Sequence, residues 1–242
     1  MDRFYQAGPM PKNARFPSGR MWRMRGVSAG VGLGLVLGLV AVPVGAIAAQ
    51  SADSYPSDVK QVVTVTAASW SATHATFRAY RLSDGRKVRV FGPWTARVGY
   101  NGIARPGKKR EGDGRTPSGT YGFSFFFGVQ PDKKFSFPFR HAYSYDFWDD
   151  DPASARYNEW VNARKHNAGS NPEPMHQVPA YDYAAVIAYN TSRTPGLGSA
   201  IFLHVGTGTA TAGCVSLPRA DLLKILDWLR PHDHPRITIT AR

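Results

Sequence analysis

The chain has 242 residues, 43% of them hydrophobic and 19% charged, with a formal net charge of +13 and a single cysteine. That length fits one domain plus an appendage better than two domains, and one cysteine excludes an internal disulfide framework. The positive charge invites a polyanionic partner, but no helix-turn-helix, zinc-finger spacing or aromatic-interleaved RNA motif is present, so the common nucleic-acid-binding classes are set aside.

Residues 1–25 carry six basic residues against Asp2, and residues 26–50, GVSAGVGLGLVLGLVAVPVGAIAAQ, carry no charge. A basic flank leading into an apolar span reads as a cleaved export signal, which Ala46-Ile47-Ala48 suits, or as an uncleaved anchor, which the length suits, because a signal's apolar core runs about 7 to 15 residues. In both cases the basic side stays in the cytoplasm and the chain beyond about residue 50 crosses the membrane. The expected organisation is a basic cytoplasmic segment at 1–25, a hydrophobic helix at 26–49, a linker at 50–58 and a folded domain at 59–242. Beyond residue 25 there are 24 Lys and Arg against 16 Asp and Glu, a balance that in an exported chain suits an anionic envelope surface.

Three strand-like runs follow the linker: QVVTVTAA from Gln61, THATFRAYRL from Thr73 and KVRVFGPWTARVGY from Lys87, all dense in β-branched and aromatic residues. Asp84-Gly85 between the second and third is a hairpin signal. NGIARPGKKREGDGRTPSG reads as a surface loop, and TYGFSFFFGV as another strand. From about Pro131 to Pro179 no period is sustained, which predicts a long loop of the kind that serves as a lid or binding loop. YDYAAVIAYN and SAIFLHV are apolar runs of strand length. PRADLLKILDWLRP predicts a helix whose Leu222, Leu223, Ile225, Leu226 and Leu229 face the sheet, with Ser216 as its N-cap and Pro218 in its first turn. RITIT closes the domain.

The lone cysteine lies in HVGTGTATAGCVSLPR, between the last apolar strand and the helix. A thiol in an exported chain is either buried and inert or chemically useful. Here Gly213 precedes Cys214 and a helix N-terminus is expected two residues on, which would favour thiolate and predicts a pKa below that of a free thiol. His204, at the end of the SAIFLHV strand, is the nearest base, and the glycine-rich connection is long enough to double back so that imidazole and sulfur meet.

A histidine, a glycine-containing loop and then Thr-x-Gly-Cys-Val resembles the signature of L,D-transpeptidases of the YkuD type, and EGDGRTPSGTYGF resembles that family's Thr-Pro-x-Gly loop leading into a strand. The resemblance covers roughly residues 60–240. It implies a mainly β fold, a curved sandwich of mixed sheets with one clear helix after the cysteine, and an extracytoplasmic enzyme acting on peptidoglycan stem peptides without metal or cofactor. In that reading Cys214 attacks the carbonyl before a terminal D-residue and forms a thioester, which an amine of another stem resolves. His204 moves the protons, amides near Gly213 and Cys214 hold the oxyanion, and Thr211 bonds loop or substrate. If water replaces the amine, the same site is an L,D-carboxypeptidase; a non-catalytic wall-binding module is the further alternative.

The chain departs from the family pattern in a shorter histidine–cysteine interval, in Ala212 where a histidine is frequent, and in Ser216 where an arginine often follows. Arg219, Arg115 or Lys109 are the candidates to replace that arginine. Tyr145, Trp148 and Tyr157, in HAYSYDFWDDDPASARYNEWV, are expected to line a peptide groove or to form an aromatic minicore. Asp149-Asp150-Asp151 reads as a solvated acidic turn. His232 and His234 raise a zinc alternative with His204 and Cys214, but their spacing matches no familiar zinc pattern.

Overall fold

The computed structural model describes residues 55–83 and 86–242, and the chain divides into two units, Met1–Ala49 and Gln50–Arg242. The apolar span and its expected helix lie outside the described residues. Among the described residues no helix is long and apolar enough to cross a membrane.

The β-branched and aromatic runs become strands, as their composition requires. β1 (Gln61–Ala67), β2 (His74–Ser83) and β3 (Arg86–Arg97) form an antiparallel meander. Ser83 pairs with Arg86, leaving a two-residue connection at positions 84 and 85, which themselves lie outside the described residues. The register of β2 on β3 slips between Phe77 and Tyr80. Opposite this slip Gly92 has φ +81°, and a Cβ there would meet the Phe77 carbonyl oxygen at 2.4 Å, so only glycine fits the bulge.

β4 (Ile103–Ala104) and β5 (Thr116–Pro117) pair in parallel and pin the two ends of the basic loop between them. The stretch TYGFSFFFGV forms two strands, β6 (Gly119–Tyr121) and β7 (Phe123–Gly128), separated by Gly122. The supposed long loop is not structureless: it holds β8 (Phe139–His141), β9 (Asp146–Trp148), β10 (Trp160–Asn162) and β11 (Glu173–Pro174), of which the last three form a small sheet of their own. β12 (Ala184–Ile187), β13 (Phe202–Val205) and β14 (Val215–Leu217) follow, then α1 (Arg219–Trp228), a 3₁₀ turn at Pro231–Asp233, and β15 (Arg236–Ala241).

The main sheet has ten strands in the order β6-β15-β1-β2-β3-β14-β13-β12-β7-β8, mixed because β1–β15, β13–β14 and β7–β8 are parallel. β6 and β7 are one residue apart in the chain yet stand near opposite ends of that order. The sheet therefore curls back toward itself. Among the described residues the fold is mainly β with one α-helix, the class expected from the sequence.

Alternation along β12 and β13 sorts their side chains onto two cores. Ala185, Ile187, Leu203 and Val205 join the larger one, with Leu222, Ile225, Leu226 and Leu229 of the helix segment. Ala184, Val186, Phe202 and Cys214 join a smaller one with Phe127, Trp148, Met175 and Tyr181. Leu223 sits at the margin, half-buried. Phe202 is fully buried and meets Phe127, Trp148 and Tyr181 edge-on; burying such a ring contributes about 2–3 kcal/mol.

The helix start differs from expectation. Its N-cap is Pro218, with no side-chain cap, and Ser216 is the middle residue of β14, buried, its hydroxyl without a hydrogen-bond partner. Hydrophobic pairing of Val215 and Leu217 with the core extends the strand through Ser216 and overrides its capping preference. Three residues of strand thus separate the cysteine from the helix cap.

Candidate active site

β14 lies parallel to β13, with Leu203 opposite Val215 and His204 opposite Ser216. Extending the register by one residue puts Cys214 beside Phe202. His204 is two residues farther on, on the same face of the adjacent strand, about 8 Å away between Cα atoms from strand spacing and rise. Both side chains line one cavity of about 360 Å³, together with Thr211, Ala212 and Gly213 of the connection, Ala180 and Tyr181 before β12, and Lys109, Glu111, Asp150, Glu173 and Ser199 from earlier segments of the chain.

Cys214 is 7% exposed, and its sulfur is hydrogen-bonded on both sides. It accepts from the Phe202 amide at 3.3 Å and donates to the Ala200 carbonyl at 3.2 Å. Burial pushes the thiol up to about 12, the Phe202 amide pulls it down, and the charges of Glu173 and Asp150 push it up again while Lys109 opposes them. The expected depression of the thiol pKa is therefore overturned: desolvation dominates, and the helix dipole that was to favour thiolate starts too far along the chain.

His204 is 8% exposed, and burial lowers it to about 4, against the raising effect of carbonyl contacts at Val205 and Ala180. Its Nδ1 is 2.9 Å from the Val205 carbonyl oxygen, which can only accept, so Nδ1 carries the proton. Nε2 of the neutral ring is then the basic nitrogen. At rest the thiol and the imidazole are both uncharged.

The loop before the cysteine is held by hydroxyls. Thr211 Oγ1 donates to the Cys214 carbonyl at 2.6 Å and accepts from the Gly213 amide at 3.2 Å. Thr116, fully buried, donates to the same Cys214 carbonyl at 3.2 Å and accepts from the Gly99 amide at 2.9 Å. Gly213 has φ +155°, and a Cβ on it would stand 3.1 Å from the Arg115 carbonyl oxygen.

The remaining sequence candidates are spread around the site rather than gathered in it. Tyr157 is buried and hydrogen-bonds Glu111 through its hydroxyl while accepting from the Gly198 amide at 3.0 Å. Trp148 backs β13 through Phe202, its indole N–H donating to Asn158 at 2.8 Å. Tyr145 stacks on Tyr143 under the Arg164 guanidinium, away from the cavity lining. Arg219 pairs with Asp182 and lies over Tyr183, and Ser216 borders a separate pocket with His74 and Arg97. Of the three cations considered as replacements for the family arginine, Lys109 is the one on the cavity lining.

The acidic triplet is no solvated turn. Asp149 is fully buried and accepts from the Asp151 amide and the Ser154 hydroxyl, while Asp150 faces the cavity. His232 and His234 sit at the 3₁₀ turn, off the cavity lining. Among the described residues no three His, Cys, Asp or Glu side chains are grouped so as to hold a metal ion. The carboxylate wall and Thr116 escaped sequence reasoning; Thr116 was nonetheless inside the Thr-Pro-x-Gly stretch already singled out.

A family model described as the L,D-transpeptidase catalytic domain (YkuD) matches residues 71–239. The chain belongs to this family. The match spans the Thr-Pro-x-Gly loop, His204 and Cys214 in one stretch, so the two motifs that resembled the YkuD family separately fall within one family domain. A comparison with curated proteins finds no match. Among solved structures, the helical cell shape determining protein Pgp2 from Campylobacter jejuni aligns at 15% identity and a TM-score of 0.38, over 78% of this chain and 50% of that one. The chain thus spans about half the length of that protein.

Proposed function

We propose that the protein is a peptidoglycan L,D-transpeptidase in which Cys214 forms a thioester with a stem peptide and passes the acyl group to an amine. The observation that carries this reading is the placement of Cys214 and His204 on one face of two adjacent strands, both lining the same cavity, in a chain of the YkuD family. As sulfur attacks the carbonyl carbon, its proton passes to Nε2 of His204; the C–N bond to the terminal residue then breaks and the leaving amine takes that proton back. The incoming amine gives a proton to the same nitrogen as it displaces the thiol, which recovers it. The amide of Gly213 now faces Thr211 and would exchange that acceptor for the substrate oxyanion.

The cavity walls suit a peptide: polar groups at Glu173, Gln177, Ser199 and Thr211 alternate with Ala180, Ala200 and Ile201. The basic flank and apolar span at the N-terminus support a location outside the cytoplasmic membrane, as a secreted or anchored envelope protein.

The test is intact mass after exposure to a carbapenem, the β-lactam class that acylates this family, followed by incubation with a tetrapeptide stem. A single adduct on the wild-type chain, absent in Cys214→Ala, and release of the terminal residue are expected. Thioester resolution by added amine rather than by water separates transpeptidase from carboxypeptidase. No adduct and no release would overturn the proposal.

A further inference from the structure

The hairpin of β2 and β3 has no part in the site described above. The two strands carry Arg78, Arg81, Arg86, Lys87, Arg89 and Arg97 and not one aspartate or glutamate; the connection between them adds Asp84. Arg81, Arg86, Lys87 and Arg89 cluster at the turn end and are all exposed. Lys87 lies over the rings of Tyr80 and Tyr55. The guanidinium groups of Arg81, Arg86 and Arg89 form no ion pair among the described residues.

Apolar exposure accompanies the charge. Val88, 56% exposed, stands directly opposite Arg81, and Val90 is 39% exposed. Among the described residues β3 meets its second neighbour, β14, only at Arg97, so its outer edge from Arg86 to Ala96 pairs with no strand. Cations on such an edge keep it from pairing with another chain. An edge protected only against pairing gains nothing from valines exposed beside those cations, since apolar residues there favour aggregation. The hairpin also lies close, along the chain, to the apolar span. Ala49 and Tyr55 are six residues apart, at most about 20 Å of extended chain, and Tyr55 is a residue whose ring Lys87 approaches. A membrane that held the span would be within that tether of Tyr55.

We propose that the hairpin of β2 and β3 docks on the surface of an anionic phospholipid bilayer, with Arg81, Arg86 and Arg89 among the phosphate headgroups and Val88 and Val90 in the interfacial layer. Arginine suits this partner, because its planar donors fork onto phosphate oxygens. The docked hairpin would also position the cysteine cavity. Arg97, at the far end of the twelve-residue strand β3, pairs with Ser216, two residues beyond Cys214. Strand rise puts that pair up to about 35 Å from Arg86. The cavity is thereby held off the lipid while the hairpin touches it. This inference goes beyond the cysteine reading and shares with it only the location at the outer side of the membrane.

The test follows backbone hydrogen exchange over residues 86–90 of the full-length chain, reconstituted in vesicles of phosphatidylcholine alone or of phosphatidylcholine with phosphatidylglycerol. Each arginine at an anionic surface favours the docked state about fivefold. Three should therefore slow exchange by on the order of a hundredfold in the mixed vesicles, and concentrated salt should abolish the difference. Replacing them together, by Arg81→Gln, Arg86→Gln and Arg89→Gln, should give equal exchange in both kinds of vesicle. Equal exchange in the wild-type chain, or protection that survives the three substitutions or the salt, would overturn the inference. If soluble polyphosphate with neutral vesicles protects the segment as well, the hairpin serves a soluble polyanion and the bilayer is the wrong partner. The carbapenem adduct on Cys214 is read on the same samples. Adduct without protection leaves the cysteine reading standing and removes the docking; protection without adduct does the reverse.

Discussion

The hydroxyl of Thr116 donates to the main-chain carbonyl of Cys214 at 3.2 Å, across 98 residues of chain, and is itself fixed by the Gly99 amide. The Thr-Pro-x-Gly loop and the Gly-Cys loop, separate in sequence, are thus one hydrogen-bonded unit. Because Thr116 is fully buried, a valine there leaves the Gly99 amide without its acceptor and removes one donor from the cysteine carbonyl. Thr116→Val is expected to cost about 1–3 kcal/mol and to slow acylation of Cys214, while Thr116→Ser, which keeps the hydroxyl, should recover most of both. Thermal melts and adduct formation rates measure this; an unaltered melt in Thr116→Val would show that the bond contributes nothing.

The buried thiol gives a second expectation, opposite to the one that its position in the sequence suggested. With Cys214 pushed up to about 12, thiolate is scarce in the free protein at neutral pH. Alkylation by iodoacetamide, a small uncharged reagent, should be slow at pH 7 and climb with pH through 8 to 10 without levelling off. A plateau below pH 8 would mean that a thiolate is already stabilised before substrate binds.

These results mark how far the sequence could be read. The meander of β1 to β3 was legible because Val, Thr, Phe and Tyr crowd those runs and a two-residue turn joins them. The strands of the small sheet were not: with two or three residues each, they are too short for a period of two to register. Ser216 misled because β14 continues through it, which depends on Val215 and Leu217 finding the core, a tertiary fact. The thiol and imidazole stood out as rare groups near one another in the chain, whereas Glu111, Asp150 and Glu173 come from three distant segments and share a wall only after the sheet has curled.

Asp150 supplies a stability prediction with a definite sign. Its pKa is raised to about 7, chiefly by burial, against an ordinary value near 3.8. Between those values the folded chain binds more protons than the unfolded one, so its contribution to stability is present at low pH and is lost as pH rises toward 7. Asp150→Asn keeps an acceptor for Ser199 and removes the charge, and should stabilise the chain by about 1 kcal/mol at pH 8, after allowance for partial solvent exposure, and by little at pH 4. Denaturant titrations at the two pH values decide it. A loss of stability at pH 8 would mean that the ionised carboxylate is well solvated or paired.

His204 behaves in the opposite sense. Burial lowers it to about 4 from 6.5, so the unfolded chain takes up a proton first as pH falls. The stability that this buried neutral ring contributes is present above pH 6.5 and lost on the way down to 4, a change of about 3 kcal/mol at most from the size of the shift. In the proposed mechanism the same shift is useful: the ring stays neutral, and so able to accept the thiol proton, across the whole range from pH 5 to 8. Acylation of the wild-type chain should therefore show no loss of base near pH 6.5; its acid limb should fall near 4. His204→Ala should slow acylation by roughly two orders of magnitude or more and flatten the stability profile between pH 4 and 6.5. A wild-type rate that halves near pH 6.5 would show an imidazole exposed to water, and unchanged kinetics in His204→Ala would assign the proton to another group, for which the cavity wall offers Asp150 and Glu173.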